Sequence, residues 1–237
     1  DPFTFSQTNI QGTLNLLEAA RLHWKNNATK QRFYHISTDE VFGSLSDKGL
    51  FTELTSYDPR SPYSASKAAS DHLVKSYFHT YGVPVLLSNC SNNYGPGQHD
   101  EKLIPLMINN IISKKPLPIY GEGNNIRDWL YVEDHAEAID LILNQGKVGE
   151  NYLIGGNNEQ KNIDIVKFLI SFMDQKLKNP KGHSLKLIKF VEDRLGHDYR
   201  YGVDTSKIKN KLNWSPTTSF SEGIEKTINF YLKNKKI

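Results

Sequence analysis

Short apolar runs alternate with long helical stretches through the first third of the chain, and this alternation is what most restricts its fold. Gln31 to Ser37 is dense in aromatic and branched residues between polar flanks, which predicts a buried strand ending at Thr38. Pro62 suits the entry to a helix that runs from Tyr63 to about Tyr81, where Gly82 stops it. Val83 to Asn89 is the next strand. Upstream, Ile10, Leu14, Leu17 and Ala20 recur at helical spacing, with Leu16 and Ala19 beside them, and predict a helix from Thr8 to about His23. Strand, helix, strand in this order requires parallel strands joined by crossovers, an α/β doubly wound sheet.

After Asn92 the pattern changes. Gly95, Pro96 and Gly97 break the chain; Ile104 to Ser113 reads as a helix and Pro116 to Tyr120 as an extended segment. Asn151 to Ile154 is a predicted strand, Ile163 to about Leu177 a helix, Leu185 to Val191 an extended run, and Ile224 to Leu232 a closing helix. Residues 1–93 are thus expected to form one domain on the sheet. Residues 94–237 are expected to form mainly a smaller, mixed α/β domain, with some segments returning to the sheet.

The 237 residues, 38% of them apolar, suffice for a sizeable core. The net charge of +3 is spread along the chain, and the basic cluster of Lys233, Lys235 and Lys236 reads as a solvated tail, which argues against a nucleic-acid partner. The single cysteine, Cys90, excludes an internal disulfide framework, fits a reducing compartment, and lies in an apolar run as a small buried residue rather than a nucleophile. No apolar run approaches the ~20 residues of a membrane span. No signal peptide or metal-ligand cluster is visible, so a cytoplasmic protein without membrane partner or metal is expected.

The chemistry lies in two stretches. Tyr63 and Lys67 are one helical turn apart and project from the same face. An ammonium beside a phenol favours the phenolate, and such a pair moves a proton on and off a hydroxyl near neutrality. Ser37-Thr38-Asp39-Glu40 falls at the carboxyl end of a strand, where open parallel sheets bind ligands, as does Asn92-Asn93. Two carboxyls in different environments hold different protonation states, so one can donate a proton to a leaving hydroxyl while the other abstracts one beside a carbonyl. That combination eliminates water.

These segments resemble a known family. Thr8 to Thr13, Ser37 to Gly43, Tyr63 to Lys67, Ser91 to Pro96, Arg127 to His135 and Asp193 to Asp198, in that order, are similar to the dTDP-glucose 4,6-dehydratases, extended short-chain dehydrogenases/reductases. The Asp39-Glu40 pair separates the dehydratases from the 4-epimerases, which generally keep the Tyr-Lys pair without it.

The resemblance implies a Rossmann-like, NAD-binding first domain and a nucleotide-sugar-binding second one. It implies that Tyr63, assisted by Lys67, takes the 4-hydroxyl proton of dTDP-glucose while hydride passes to NAD, with Thr38 hydrogen-bonded to that hydroxyl. Glu40 then removes the C5 proton, Asp39 protonates the departing 6-hydroxyl, and hydride returns to C6. Thr8 and Asn93, with Tyr63 and Lys67, match cofactor-contacting positions. Asn92, Lys102, Leu103, Pro118, Ile119, Tyr120, Arg127, Asn162, Arg194 and His197 match substrate positions, alongside Thr38. Arg127-Asp128 reads alternatively as a surface ion pair, and His197 as a loop histidine. The helices near 8–23 and 63–81 match those that pair two subunits, so a homodimer is implied, with Leu73, Val74 and Phe78 either supplying that surface or facing the sheet.

Other readings are a different nucleotide-sugar dehydratase, epimerase or decarboxylase, or a non-catalytic sugar-nucleotide-binding module. The sequence holds no G-x-x-G-x-x-G turn, which a dinucleotide site uses to bring backbone amides to the pyrophosphate. The chain is therefore expected to be the C-terminal part of a longer enzyme and, alone, to bind NAD poorly and turn over little.

Overall fold

The computed structural model describes residues 1–24 and 30–235; Lys236 of the predicted tail lies outside them. The chain opens with a short helix α1 (Pro2–Phe5), capped by the Asp1 carboxylate on the Phe3 N–H, passes through a wide π-type turn (Ser6–Gln11) and continues as α2 (Gly12–Trp24). Helical structure thus begins before Thr8, because Pro2 behind an acidic cap is itself a helix start.

Strand β1 (Phe33–Thr38) runs into a 3-10 turn over Asp39–Phe42. Helix α3 (Pro62–Tyr81) is bounded as its sequence demands. The Ser61 and Ser64 side chains cap each other's backbone N–H groups, Pro62 occupies the first turn, and Gly82 ends the helix in the left-handed region (φ 67°). Strand β2 (Val85–Cys90) pairs in parallel with β1, setting Phe33 opposite Val85 and Thr38 opposite Cys90. Short strand β3 (Asn92–Tyr94) follows, then α4 (Leu103–Ile112), β4 (Leu117–Tyr120), β5 (Ile126–Tyr131), α5 (Val132–Gln145) and β6 (Asn151–Ile154). The chain closes with β7 (Glu159–Lys161), α6 (Asn162–Lys176), β8 (Ile188–Val191), α7 (Ser206–Leu212) and α8 (Phe220–Asn234).

Strand β6 returns to the sheet, pairing in parallel with β2 to give the order β1-β2-β6. A second sheet has the order β3-β5-β7, parallel then antiparallel, and β4 pairs in parallel with β8.

Three expectations change. Leu185 to Val191 is not extended throughout: His183–Leu187 is a 3-10 turn, and only Ile188–Val191 is strand, because only the latter meets β4. Strand β1 is only half covered, with Ile36 41% exposed while Ser37 and Thr38 are buried. Between Tyr120 and Asn151 the sequence reading assigns no element, yet β5 and α5 fill that interval. Tyr131 passes straight from strand to helix without a side-chain cap, so no turn residue marks the boundary.

The largest core joins α4, β4, β5, α6 and α8 through Met107, Ile108, Ile119, Trp129, Leu169, Ile170 and Ile228, all buried. Truncating one of these aliphatics to alanine costs about 2–5 kcal/mol. Leu17, Val74, Tyr77, Val83, Val85 and Leu87 form the layer between α2, α3 and the first sheet, and Leu73 and Phe78 pack against it. Of the two possibilities for those three α3 residues, Val74 thus faces the sheet layer. Among the described residues no helix is long and apolar enough to cross a membrane, and no group of His, Cys, Asp and Glu is placed to hold a metal.

Candidate active site

The parallel register brings the ends of β1 and β2 level, so Thr38-Asp39-Glu40 and Asn92-Asn93 emerge side by side. Helix α3 lies against both strands and delivers Tyr63 and Lys67 to the same end. The Lys67 ammonium donates to the Ile36 carbonyl at 2.8 Å, tying the helix to β1 two residues before Thr38. The Tyr63 ring packs edge-on to Phe5 (5.5 Å between centroids), and Asn9 in the wide turn donates to Ser66 Oγ at 2.9 Å. The Ser70 hydroxyl bonds the Asn9 carbonyl at 2.6 Å, which sets exposed Thr8 beside the helix.

The acids differ as two-carboxyl chemistry requires. Asp39 is buried (2% exposed); burial, then the Glu40 and Asp128 charges, push its carboxyl well above the usual range against Arg127. Its Oδ1 accepts from the Thr38 hydroxyl at 3.3 Å, whereas Oδ2 is buried without a partner. That setting favours the protonated carboxyl. Glu40 is also raised by burial, but the Arg127, Lys102 and Arg194 cations draw it back toward the carboxylate. Thr38 caps the turn that holds both, its Oγ1 accepting from the Glu40 N–H at 3.3 Å.

The phenol departs from expectation. Burial pushes Tyr63 up to about 12, followed by the charges of Glu40, Cys90, Asp39 and Asp71, and these outweigh any relief from Lys67. The Lys67 ammonium donates to the Ile36 carbonyl. Lys67 is itself lowered by burial. That the Glu40 and Asp39 charges both act on Tyr63 shows that phenol and acid pair lie within electrostatic reach of each other. Cys90 is pushed up to about 12 by burial, an inert thiol as expected.

Arg127 and Asp128 are buried and not paired with each other, which overturns the surface-pair alternative. The Arg127 guanidinium donates to the carbonyls of Ile126 (2.7 Å), Asp198 (2.9 Å) and Tyr199 (3.3 Å) and lies 4.2 Å from the Tyr201 ring centroid. Asp128 accepts from the N–H groups of Gly156 (2.9 Å) and Asn158 (2.7 Å). Asn162 opens α6 and bonds the Asn125 carbonyl at 3.0 Å, while the Asn125 amide reaches the Asp198 carbonyl at 3.2 Å.

Tyr120, Arg194 and His197 gather at the surface. Arg194 lies 5.2 Å above the Tyr120 ring and donates to His197 Nε2 at 2.8 Å. Because a guanidinium only donates, His197 Nε2 accepts, so its Nδ1 carries the proton and donates to Asp193 at 2.6 Å. His197 is therefore wired rather than a loose loop histidine. Ile119 turns into the core (2% exposed) and leaves Tyr120 exposed; Leu103 packs on the same core, and Pro118 is half-buried in β4. Lys102 precedes α4 within electrostatic reach of Glu40. Asn93 donates to the Ser91 carbonyl (3.1 Å), and its Oδ1 faces His135 Nδ1 at 2.7 Å.

Sequence reasoning missed Asp193, Asp198, Tyr201 and His135, which orient the predicted residues. Asp193, Asp198 and His135 lay inside motifs already singled out, but their partners are set by tertiary contact.

The GDP-mannose 4,6 dehydratase family model matches residues 1–227. The chain belongs to this family. It is 52% identical over 239 residues to the dTDP-glucose 4,6-dehydratase of Xanthomonas campestris, covering 99% of this chain and 68% of that protein. The enzyme of that name from Neisseria meningitidis is 53% identical, with 98% and 67% covered. The crystal structure of dTDP-glucose 4,6-dehydratase from Bacillus anthracis in complex with NAD superposes with a TM-score of 0.88 at 44% identity, over 100% of this chain and 71% of that one. A UDP-glucuronic acid 4-epimerase from Bacillus cereus, solved with UDP-glucuronic acid and NAD, scores 0.83 at 28% identity, over 96% and 68%. This family member thus spans about two thirds of the length of those relatives, on a fold that dehydratases and epimerases share.

Proposed function

We propose that this chain carries the catalytic and nucleotide-sugar-binding part of a lyase that dehydrates dTDP-glucose to dTDP-4-keto-6-deoxyglucose. The observation that carries the reading is the pair of carboxyls at the end of β1, one buried with an orphaned oxygen and one among three cations. An epimerase needs hydride out and back, whereas loss of water also needs an acid and a base.

When bound, NAD would supply a hydride acceptor and donor. The residues present fit its nicotinamide end. Ser37 Oγ, Asp39 Oδ2 and Asn92 Oδ1, clustered where β1 and β2 end, are buried without partners and suit a polar ligand. Tyr63, Lys67, Asn93 and Thr8 would hold the cofactor there. Tyr63 accepts the 4-hydroxyl proton, with Thr38 positioning that hydroxyl. Glu40, kept ionisable by Arg127, Lys102 and Arg194, removes the proton from C5, which the neighbouring ketone acidifies. Asp39, retaining its proton, delivers it to the 6-hydroxyl as that group leaves as water. Arg194, His197 and Tyr120 bind the nucleotide diphosphate, with Lys102, Asn92, Leu103, Pro118 and Asn162 around it. Arg127 acts from beneath Glu40, and Ile119 contributes through its backbone and the core behind Tyr120. Residues 1–93 with β6 would form the cofactor side and most of 94–237 the substrate side. Exposed Leu16 (64%) and Leu22 (55%) on α2 suit pairing with a second copy through α2 and α3.

The test is Glu40→Gln in the full-length, NAD-loaded protein. Reduced nicotinamide should form on adding dTDP-glucose while the alkali-absorbing 4-keto product falls about 10²–10⁴-fold. Near-normal product would remove Glu40 as the base. A preference for UDP-glucose, or product epimerised at C4, would replace the dehydratase reading.

A further inference from the structure

Asp71 stands outside every role assigned above. It follows Lys67 by one turn of α3, so Tyr63, Lys67 and Asp71 share one helix face. Its side chain is wholly buried, yet it is richly bonded. Oδ2 accepts from the Tyr57 hydroxyl at 2.8 Å and from Asn89 Nδ2 at 3.1 Å. Oδ1 faces His35 Nε2 at 3.1 Å, ion-pair range without hydrogen-bond alignment. The same Asn89 amide donates to the Thr38 carbonyl at 3.0 Å, and its oxygen accepts from Asn151 at 2.9 Å. One amide therefore joins the carboxylate on the catalytic helix to the backbone immediately before Asp39 and Glu40.

The titratable groups around Asp71 are His35 from β1, Tyr57 from the segment before α3, Cys90 of β2 beyond Asn89, and Tyr63, Lys67, His72 and Lys75 on α3 itself. Lys75 sits 3.5 Å from the Tyr57 hydroxyl. A fixed negative charge acts on the phenol and the ammonium in one direction, since it holds the proton on each. Both groups register it, Asp71 raising Lys67 against burial and raising Tyr63.

We infer that Asp71 is a positioning residue of the reaction centre. Through Asn89 it fixes the Thr38–Glu40 turn against α3, and its charge sets the pH range in which the Tyr63–Lys67 pair works. The inference rests on the lyase reading above.

The experiment is the pH profile of the first hydride transfer in the full-length, NAD-loaded protein, with thermal midpoints measured beside it. The two limbs report the ionisations of the Tyr63–Lys67 pair. Asp71→Asn should slide both limbs to lower pH by about one unit, because removing a negative charge lowers both pKa values. Asp71→Glu should leave the limbs in place, and Asn89→Ala should slow product formation about 10-fold without moving them. Should Asp71→Asn not accumulate folded, Asp71→Ser carries the same prediction. Unmoved limbs in the neutral variants, or limbs moving to higher pH, overturn the inference, as does Asp71→Glu shifting like Asp71→Asn. If the unaltered protein forms no 4-keto product from dTDP-glucose, the lyase reading falls instead.

Discussion

At the end of β1, Asp39 is buried and Glu40 half-buried beside it, crowded by like charge, with one Asp39 oxygen orphaned. Around Tyr120 the exposed Asp193 and Arg194 are joined through the His197 imidazole in a chain under 3 Å at each step, so these groups already satisfy one another. The first region holds groups in costly states that only the rest of the fold maintains. The second is held by contacts within five residues, Asp193 to His197, and by the Arg194 guanidinium over Tyr120. On the proposed reading, groups that change protonation sit in the first and groups that only bind sit in the second.

The sharpest way to break this division is to delete one oxygen in the first region. Tyr63→Phe keeps the ring that packs on Phe5 and removes only the proton acceptor. Product formation should fall about 10²–10⁴-fold with KM little changed. A loss confined to KM would mean that Tyr63 binds rather than reacts.

A smaller effect is expected in the second region. Arg194→Ala removes the cation above Tyr120 and should raise KM about 10-fold, roughly the worth of one charged hydrogen bond, with kcat within about twofold. Asp193→Asn, which frees the His197 tautomer, should raise KM by less. A fall in kcat of the size expected for Tyr63→Phe would dissolve the division.

The same contrast explains what the sequence disclosed. Helix α3 was legible because Ser61, Pro62 and Gly82 are local signals, and so were Tyr63 and Lys67, whose spacing is a property of one helix. The Asp39-Glu40 pair was legible as chemistry, but not the difference in environment that separates the two. That depends on Arg127, Lys102 and Arg194 arriving from three distant segments. Nor does spacing foretell that the Lys67 ammonium prefers the Ile36 carbonyl to the phenol. Strand β7, three polar residues, exists because β5 offers it an edge, a cause absent from its own sequence.

The smallest effect sharpens the comparison through stability. Burial raises the folded-state pKa of Asp39 above its unfolded value near ~4. Below that pH the carboxyl is protonated in both states and costs nothing. As pH rises, the unfolded chain releases the proton while the folded one resists, so stability declines until the folded pKa is passed. Asp39→Asn has no proton to lose. Its thermal midpoint should therefore exceed that of the unaltered protein at neutral pH, by roughly 2–4 °C for each kcal/mol relieved, and the margin should shrink toward pH ~4. Arg194→Ala, in the exposed region, should show no such pH-dependent margin. A margin for Asp39→Asn that stays flat or widens on acidification would mean that the acid pair is not held under electrostatic load, and the two regions would no longer differ in kind.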